Sequence, residues 1–203
     1  AALIIGAGQE TNFLLQKRSV LAAPLEKRRE IGKRMIVGFR DPSLIEKLVE
    51  AQGIGGVFLS ARNVSDRSPE EIRTWIDKLQ NLQKTNGLPP LIVACDQEGG
   101  AVSRMSPPLP NSIALSRFSD KPSTAEEWGK EKARALSSIG VNMNFSPVVD
   151  VPSPRSSPTY DRSSKIAERA ISTNPSITAE VAAAYSRGLA AGGVIPVAKH
   201  FPG

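Results

Sequence analysis

The sequence is poor in the residues that build disulfide or metal-bound frameworks. It has one cysteine and one histidine among 203 residues, which excludes an intrachain disulfide. The cysteine, Cys95, stands in an apolar run and is predicted to be a buried, unreactive thiol. The histidine, His200, has no partners at metal-ligand spacing, so we expect neither a metal nor a cofactor. No apolar run reaches about 18 residues, which predicts no membrane span.

The net charge is +6, from 26 lysines and arginines against 20 acidic residues. The densest basic stretch, residues 26–34, is interrupted by glutamates, and its apolar spacing predicts a helix with one buried face. Attraction to an acidic polymer is the alternative interpretation of this charge. Aromatic interleaving and zinc-finger spacing are absent, so we expect no nucleic-acid partner.

The sequence does contain a repeated alternation of short apolar runs and longer helical patterns. Such β/α units predict a parallel sheet covered by helices. Nearly continuous apolar runs are typical of strands that are buried on both faces. The five predicted strands are Met35–Phe39, Gly56–Leu59, Leu91–Cys95, Val141–Val151 and Val194–Ala198.

The helices between these strands have readable ends. Ser68-Pro69-Glu70-Glu71 combines a capping box with a proline in the first turn, and an apolar face follows as far as Leu82. Further helices are predicted over residues 43–52, from Ser123 or Thr124 to just before Gly140, and over residues 175–191.

Both an open doubly wound sheet and a barrel fit this alternation. No glycine-rich dinucleotide fingerprint follows the first strand, where the sequence reads Phe39-Arg40-Asp41-Pro42. That absence favours an α/β fold of the (β/α)8 TIM-barrel type. A complete barrel needs about 250 residues, so this chain is expected to hold about the first five β/α units. Residues 152–164, rich in proline and serine, are predicted to form a loop of the active site.

Polar residues gather where the predicted strands end. Asp96 and Glu98 follow the third strand, Asp150 ends the fourth, and Lys199 and His200 end the fifth. The carboxyl ends of barrel strands share one rim, which is where barrel enzymes carry their sites. Because glycosidases commonly use two carboxyl groups, this set indicates sugar chemistry. Solvated loop residues are the alternative interpretation of each single position.

Several segments resemble glycoside hydrolase family 3. The segment Asp96–Arg104 resembles the family signature after strand three, Asn144–Val151 the fourth strand, and Lys199–Gly203 the end of the fifth. Residues 166–175 are similar to the arginine-bearing segment between those last two strands, and residues 31–39 to the first helix end and strand. Together these segments are highly specific, whereas each alone is only suggestive.

The resemblance covers residues 25–203 and leaves residues 1–24 as an N-terminal extension. Proline after Lys-His-Phe points to the β-N-acetylhexosaminidase branch. The branch implies an enzyme that releases terminal β-linked N-acetylglucosamine, with retention of configuration, from cell-wall or chitin-derived saccharides. Such a saccharide is the expected partner. The extension favours an exported protein, periplasmic or extracellular, over a cytoplasmic one.

The resemblance also implies roles for single residues. Glu98 and Asp150 become supporting groups, which replaces the interpretation of them as a catalytic pair. The family's nucleophile and acid/base correspond to positions beyond Gly203, so no catalytic group is expected in this chain. Ala101 stands where many relatives carry arginine. The implied sugar-binding residues are Asp96, Arg104, Arg169, Lys199 and His200.

Two other functions remain open at this point: a non-catalytic carbohydrate-binding protein on a truncated barrel, and a β-glucosidase of the same family. A barrel without its last three strands has two unpaired edges, which predicts poor folding in isolation. The missing C-terminal part of the same barrel is therefore a further expected partner.

Overall fold

The structure, a computed structural model, describes residues 22–153 and 164–201. Five parallel strands form one sheet in the order β1-β2-β3-β6-β7, which is also their order along the chain. A short antiparallel hairpin, β4–β5, is inserted after the third strand. The strands are β1 Ile36–Gly38, β2 Gly56–Leu59, β3 Ile92–Cys95, β4 Gln97–Gly99, β5 Val102–Ser103, β6 Met143–Asn144 and β7 Ile195–Pro196.

Helices connect successive strands of the sheet, so the predicted β/α alternation is confirmed in four complete units and in the strand of the fifth. Two short 3-10 turns, Leu115–Phe118 and Pro122–Thr124, precede the helix between β3 and β6. The helices are α1 Leu25–Gly32, α2 Pro42–Glu50, α3 Ala61–Val64, α4 Pro69–Thr85, α5 Ala125–Ser138, α6 Ile166–Arg169 and α7 Pro175–Ala191. Within the described residues, none of these helices is long and apolar enough to cross a membrane.

The start of α4 follows the predicted capping chemistry, whereas Thr124 precedes α5 without a side-chain cap. The side chain of Ser68 accepts a hydrogen bond from the backbone of Glu71, and the Glu71 carboxylate accepts one from the backbone of Ser68. Helix α2 begins one residue before the predicted range, because the Asp41 carboxylate caps it and Pro42 occupies its first turn. These caps satisfy backbone N–H groups that have no partner inside the helix.

The core lies between the sheet and the long helices. Val57, Val93, Leu79 and Leu136 are among its fully buried side chains, and Cys95 is buried with them as a free thiol, as predicted. Burial raises the pKa of the Cys95 thiol, so it stays protonated.

Two glycines allow close contact between α5 and α7. A Cβ atom on Gly188 would lie 2.0 Å from the carbonyl oxygen of Glu126, and one on Gly129 would lie 2.4 Å from that of Tyr185. Because neither glycine carries a side chain, the two backbones approach directly. Helix α7 is thereby held beside α5, next to the strand ends that α7 connects.

Helix α1 corrects one sequence expectation. Its predicted buried face is wrong, because only Gly32 of this helix is buried and both Leu25 and Ile31 are about half exposed. The helix precedes β1, and one edge of β1 has no partner strand among the described residues.

The barrel is not closed within the described residues. Strands β1 and β7 form the two edges of the sheet, and Ile195 on β7 is 49% exposed. Residues 1–21 of the predicted N-terminal extension and residues 154–163 of the predicted active-site loop lie outside the described part of the chain.

Candidate functional site

The site is built at the carboxyl end of β3, and Asn144 of β6 fixes the backbone there. The amide oxygen of Asn144 accepts from the backbone N–H of Gln97 at 2.9 Å, and its NH2 group donates to the carbonyl of Gln97 at 3.0 Å. Asn144 is fully buried, so both bonds are sheltered from water. The side chain therefore sets the direction in which Asp96 and Glu98 leave the strand.

The side chain of Gln97, on β4, then binds the residues that directly follow β5, the second strand of the hairpin. Its amide oxygen accepts from the backbone N–H of Met105 at 2.9 Å, and its nitrogen donates to the Ser106 hydroxyl at 2.9 Å. The backbone N–H of Arg104 also donates to the carbonyl of Asp96 at 3.0 Å. These bonds place Arg104 beside Asp96, as the sequence predicts.

The Glu98 carboxylate is bound by the guanidinium of Arg169 in a two-pronged contact. Nε of Arg169 donates to Oε2 at 2.9 Å, and Nη2 donates to Oε1 at 2.6 Å. Burial alone raises the pKa of Glu98, but the hydrogen bonds from Arg169 and Lys199 outweigh it and hold that pKa below its usual value. Glu98 is therefore a carboxylate at neutral pH.

Lys199 joins the two carboxylates that follow β3. Its Nζ lies 2.6 Å from Oδ1 of Asp96 and 2.5 Å from Oε1 of Glu98. The backbone of Lys199 is fixed by a parallel bridge to Val148 and by a hydrogen bond from its N–H to the carbonyl of Pro147. The ammonium of Lys199, which follows β7, thus lies at the carboxyl end of β3.

His200 is engaged through both ring nitrogens. Nδ1 lies 2.7 Å from Oδ2 of Asp150, and Nε2 lies 3.3 Å from Nη2 of Arg169. A carboxylate only accepts and a guanidinium only donates, so this network assigns the proton to Nδ1 and the lone pair to Nε2. His200 orients Arg169 in this arrangement and has no ring N–H left for another acceptor.

A cavity of about 350 Å³ opens beside these groups, within the range of small-molecule sites. Lys165, at its rim, has a left-handed backbone (φ 54°). Other surface hollows are as large, including two of about 470 and 480 Å³ along α4, and charged side chains line these as well. The residues lining the cavity are Asp96, Glu98, Ala101, Val102, Arg104, Ser164, Lys165 and Arg169.

The structure brings the five predicted sugar-binding residues together, although they do not reach the cavity equally. Asp96, Arg104 and Arg169 line it. Lys199 contacts it through Asp96 and Glu98, and His200 only through Arg169. Whether these residues bind a sugar stays a prediction.

Two side chains that line the cavity have polar groups without a partner among the described residues. Among residues 22–153 and 164–201, no hydrogen bond or ion pair involves the guanidinium of Arg104, which is exposed. In the same part of the chain, Oδ2 of Asp96 is unpaired, since Lys199 contacts only Oδ1. Within the described ranges, the cavity therefore presents one unpaired acceptor and one unpaired cationic donor.

Sequence reasoning missed the buried residues whose side chains fix the backbone of the site. Asn144 and Gln97 stood inside the motifs, but nothing in a linear pattern shows that a buried amide binds another strand's backbone. Ser164 is the last residue of the predicted active-site loop, whereas Lys165 follows that loop and no signal marked it. The expectation of no metal site also stays a prediction: no group of three or more His, Cys, Asp or Glu side chains lies together in the described ranges.

Comparison with known proteins gives a consistent assignment. The model of the family described as "Glycosyl hydrolase family 3 N terminal domain" matches residues 27–203. Beta-hexosaminidase LpqI of Mycobacterium tuberculosis is 27% identical over 189 residues, which cover 90% of this chain and 45% of the relative. The chain thus spans about half the length of that relative.

Solved structures agree with the sequence comparison. The Beta-N-acetylhexosaminidase of Beutenbergia cavernae superposes with a TM-score of 0.75 at 26% identity, over 89% of this chain and 54% of that one. NagZ from Neisseria gonorrhoeae, in complex with N-trifluoroacetyl-D-glucosamine, superposes with a TM-score of 0.69 at 28% identity, over 83% and 50%. The predicted barrel-type α/β fold is confirmed by these neighbours. With most of its length matched, the chain belongs to glycosyl hydrolase family 3, in the N-terminal domain of that family.

Proposed function

We propose that the protein containing this chain is a retaining β-N-acetylhexosaminidase, and that the chain supplies its sugar-binding half. The relatives it matches are named beta-hexosaminidases, and one structural neighbour holds an N-acylated glucosamine derivative. The catalytic nucleophile and the acid/base are proposed to lie outside residues 1–203. The substrate class is a saccharide that ends in β-linked N-acetylglucosamine.

The observation that carries the proposal is an acceptor and a cationic donor at one cavity, both unpaired among the described residues. Oδ2 of Asp96 can accept from sugar hydroxyls, and the guanidinium of Arg104 can donate to ring substituents. Lys199 and Arg169 neutralise the carboxylates of Asp96 and Glu98, and Arg104 and Lys165 add positive charge to the cavity lining. The cavity therefore combines an acceptor with several donors, a set that can bind the hydroxyl groups of a sugar.

We further propose that additional β/α units complete the barrel. Strands β1 and β7 each leave one edge without a partner strand among the described residues. LpqI is about twice as long as the segment that matches this chain. Three more strands between β7 and β1 would pair both edges and enclose the cavity on its open side.

The test is hydrolysis of 4-nitrophenyl N-acetyl-β-glucosaminide by the protein expressed from its complete reading frame. We expect turnover that is much faster than that of the matching β-glucoside, with the β-anomer of the sugar released first. Binding of N-acetylglucosamine without turnover of either glycoside would favour a carbohydrate-binding protein instead. Preference for the glucoside would favour a β-glucosidase.

The Asp96→Ala variant tests the site itself. Removing the carboxylate should lower kcat/KM by about 100-fold, since charged hydrogen bonds to the sugar strengthen in the transition state. Asp120→Ala is the matched control, because Asp120 is exposed and distant from the cavity lining, and it should retain normal kinetics. Normal kinetics in Asp96→Ala would remove this residue from the site.

A further inference from the structure

Lys132 is a buried lysine that the proposed sugar site does not use. It lies on α5, is only 6% exposed, and donates a hydrogen bond to the hydroxyl of Ser112. Its Nζ also lies 4.8 Å from the centre of the Trp128 ring, a cation–π contact. Among the described residues no carboxylate lies within ion-pair distance of Nζ. A buried cation with these partners alone is costly, so its position calls for a role.

The surroundings of Lys132 bring its pKa close to neutral pH. Glu131 on its own helix and Cys95 on β3 are the titratable groups that act on it, with Ser112 and Trp128 in direct contact. Burial lowers the pKa of Lys132 to about 8, and Glu131 offsets only part of that effect. The ammonium is therefore charged at neutral pH and loses its proton in mildly alkaline solution.

Ser112 belongs to residues 111–114, here named the strap, which runs across the turn of the β4–β5 hairpin. The carbonyl of Ser112 accepts from the backbone N–H of Gly100 at 2.7 Å. A Cβ atom on Gly99 would lie 2.1 Å from the carbonyl oxygen of Ile113 and 3.2 Å from the Ser112 hydroxyl. Gly99 also has a φ of 101°, which other residues rarely adopt. The strap therefore fits directly on the turn.

The same turn carries the cavity residues. Glu98 immediately precedes Gly99, and Arg104 follows β5, so the position of the turn bears on both side chains in addition to their own contacts. We propose that Lys132 is a positioning residue: its ammonium holds the strap against the Gly99–Gly100 turn and so keeps Glu98 and Arg104 in place for the sugar. That the site binds a sugar rests on the proposed function, whereas the positioning of Glu98 by Lys132 does not depend on it.

The positioning has a consequence for pH. In its protonated form Lys132 is a strong donor to Ser112, and in its neutral form it is a weak one. The hold on the strap is therefore complete at neutral pH and loosens as the pH rises through about 8. Glu98 and Arg169 keep their charges over this range, so the change comes from Lys132.

The first experiment follows the Nε–H signal of Arg169 by 15N NMR, because that group donates to Glu98 and reports its position. In the wild type we expect the signal to move between pH 7 and pH 9. In Lys132→Met it should already be displaced at pH 7 and should not move with pH. Lys130→Met, two residues along the helix and partly exposed, should behave as the wild type.

Ser112→Ala removes the same hydrogen bond with a smaller change in volume, and it decides the outcome if Lys132→Met fails to fold. It should displace the Arg169 signal at pH 7, and a signal as in the wild type would overturn the proposal. Where both variants fold, their double variant should shift the signal no further than Lys132→Met alone, since both act through one contact.

The second experiment measures the affinity for N-acetylglucosamine by calorimetry, in the protein expressed from its complete reading frame. We expect the wild type to lose about threefold to tenfold in affinity from pH 7 to pH 9, and Lys132→Met to show the weaker affinity throughout. A flat wild-type profile together with an unmoved Arg169 signal would overturn the positioning role. No binding by the wild type would instead contradict the proposed function, and the NMR result would still decide the role of Lys132.

Discussion

The Glu98 carboxylate accepts hydrogen bonds from two cations that come from distant parts of the chain. Arg169 arrives from α6, and Lys199 from the segment after β7. The side chain of Glu98 is 5% exposed, so water cannot replace these partners if they are removed. Partners of this kind are costly to separate, because a lone buried charge remains.

We therefore expect Glu98→Gln to destabilise the protein by about 3 kcal/mol at pH 7, since Arg169 loses its carboxylate. Urea unfolding followed by circular dichroism measures this difference. The matched control is Asp77→Asn, which breaks the exposed Arg73–Asp77 pair on α4 and should cost about 0.5 kcal/mol or less. Equal costs for the two variants would show that the Glu98 network adds nothing to stability.

Acid solution provides a second check on the same variant. The pKa of Glu98 is lowered in the folded protein, so its contribution is fully present above its unfolded pKa, about 4.3, and is lost as the pH falls through the folded value. The difference between wild type and Glu98→Gln should accordingly shrink below about pH 4. A constant difference from pH 7 down to pH 3 would contradict this assignment.

At this scale the sequence predicted the residues that stand at strand ends. Asp96 and Lys199 could be placed on one rim because parallel strands end at the same edge of a sheet. Arg169 was found only through the family resemblance, since it lies on a short helix away from any strand end. The contact between Lys132 and Ser112 had no linear signal, because the two residues are 20 positions apart and meet only after folding.

At the scale of elements, the fourth strand of the sheet is shorter than its apolar run, and the side chains of Asn142 and Asn144 add contacts to β3 that the run did not predict. The side chain of Asn142 accepts a hydrogen bond from the backbone N–H of Val93 and donates one to the carbonyl of Leu91. The side chain of Asn144 bonds in the same two ways to the backbone of Gln97. Met143 and Asn144 form the paired strand, and the backbone N–H groups of Asn142 and Phe145 continue its hydrogen bonds to β3 by one residue on each side. The apolar run therefore predicted the location of the strand correctly but not its length.

The β4–β5 hairpin was missed for a related reason. Its arms have three and two residues, too short for an alternating pattern to emerge. Its stability comes instead from the buried Gln97 side chain and the strap, which are tertiary contacts. Helix ends, by contrast, depend on neighbouring residues, and the start of α4 matched its sequence signature.

The cap of α4 gives the prediction at this scale. Ser68→Ala removes the acceptor for the backbone N–H of Glu71 and should destabilise the protein by about 1 kcal/mol. Thermal unfolding with matched urea curves measures the effect. Ser65→Ala, three residues earlier and exposed at the end of α3, is the control and should be close to neutral. A loss of equal size in both variants would argue against the capping box.

At the scale of the whole molecule, the alternation of strands and helices predicted the class of fold and the number of β/α units. It could not distinguish a barrel from an open sheet, since both use right-handed parallel connections. The missing dinucleotide fingerprint favoured the barrel, and structural neighbours with TM-scores of 0.75 and 0.69 confirmed it. Closure depends on strands that pair with β1 and β7, and none of the described residues supplies them.

The open edge at β1 leads to a prediction about protection of backbone amides. Among the described residues β1 pairs only with β2, whereas β2 and β3 are each paired on both sides. Strand β7 cannot serve as the probe, because Pro196 has no N–H and the N–H of Ile195 donates to the carbonyl of Asn142. In the 203-residue chain, amide exchange should therefore be faster at β1 than at β2 and β3. In the protein expressed from its complete reading frame, β1 should become as protected as β3, because a neighbouring strand pairs with it. Hydrogen exchange followed by mass spectrometry measures both states, and β2 serves as the internal reference. Equal protection of β1 in the two proteins would mean that its edge stays open, and the barrel proposed here would then not close around the sugar site.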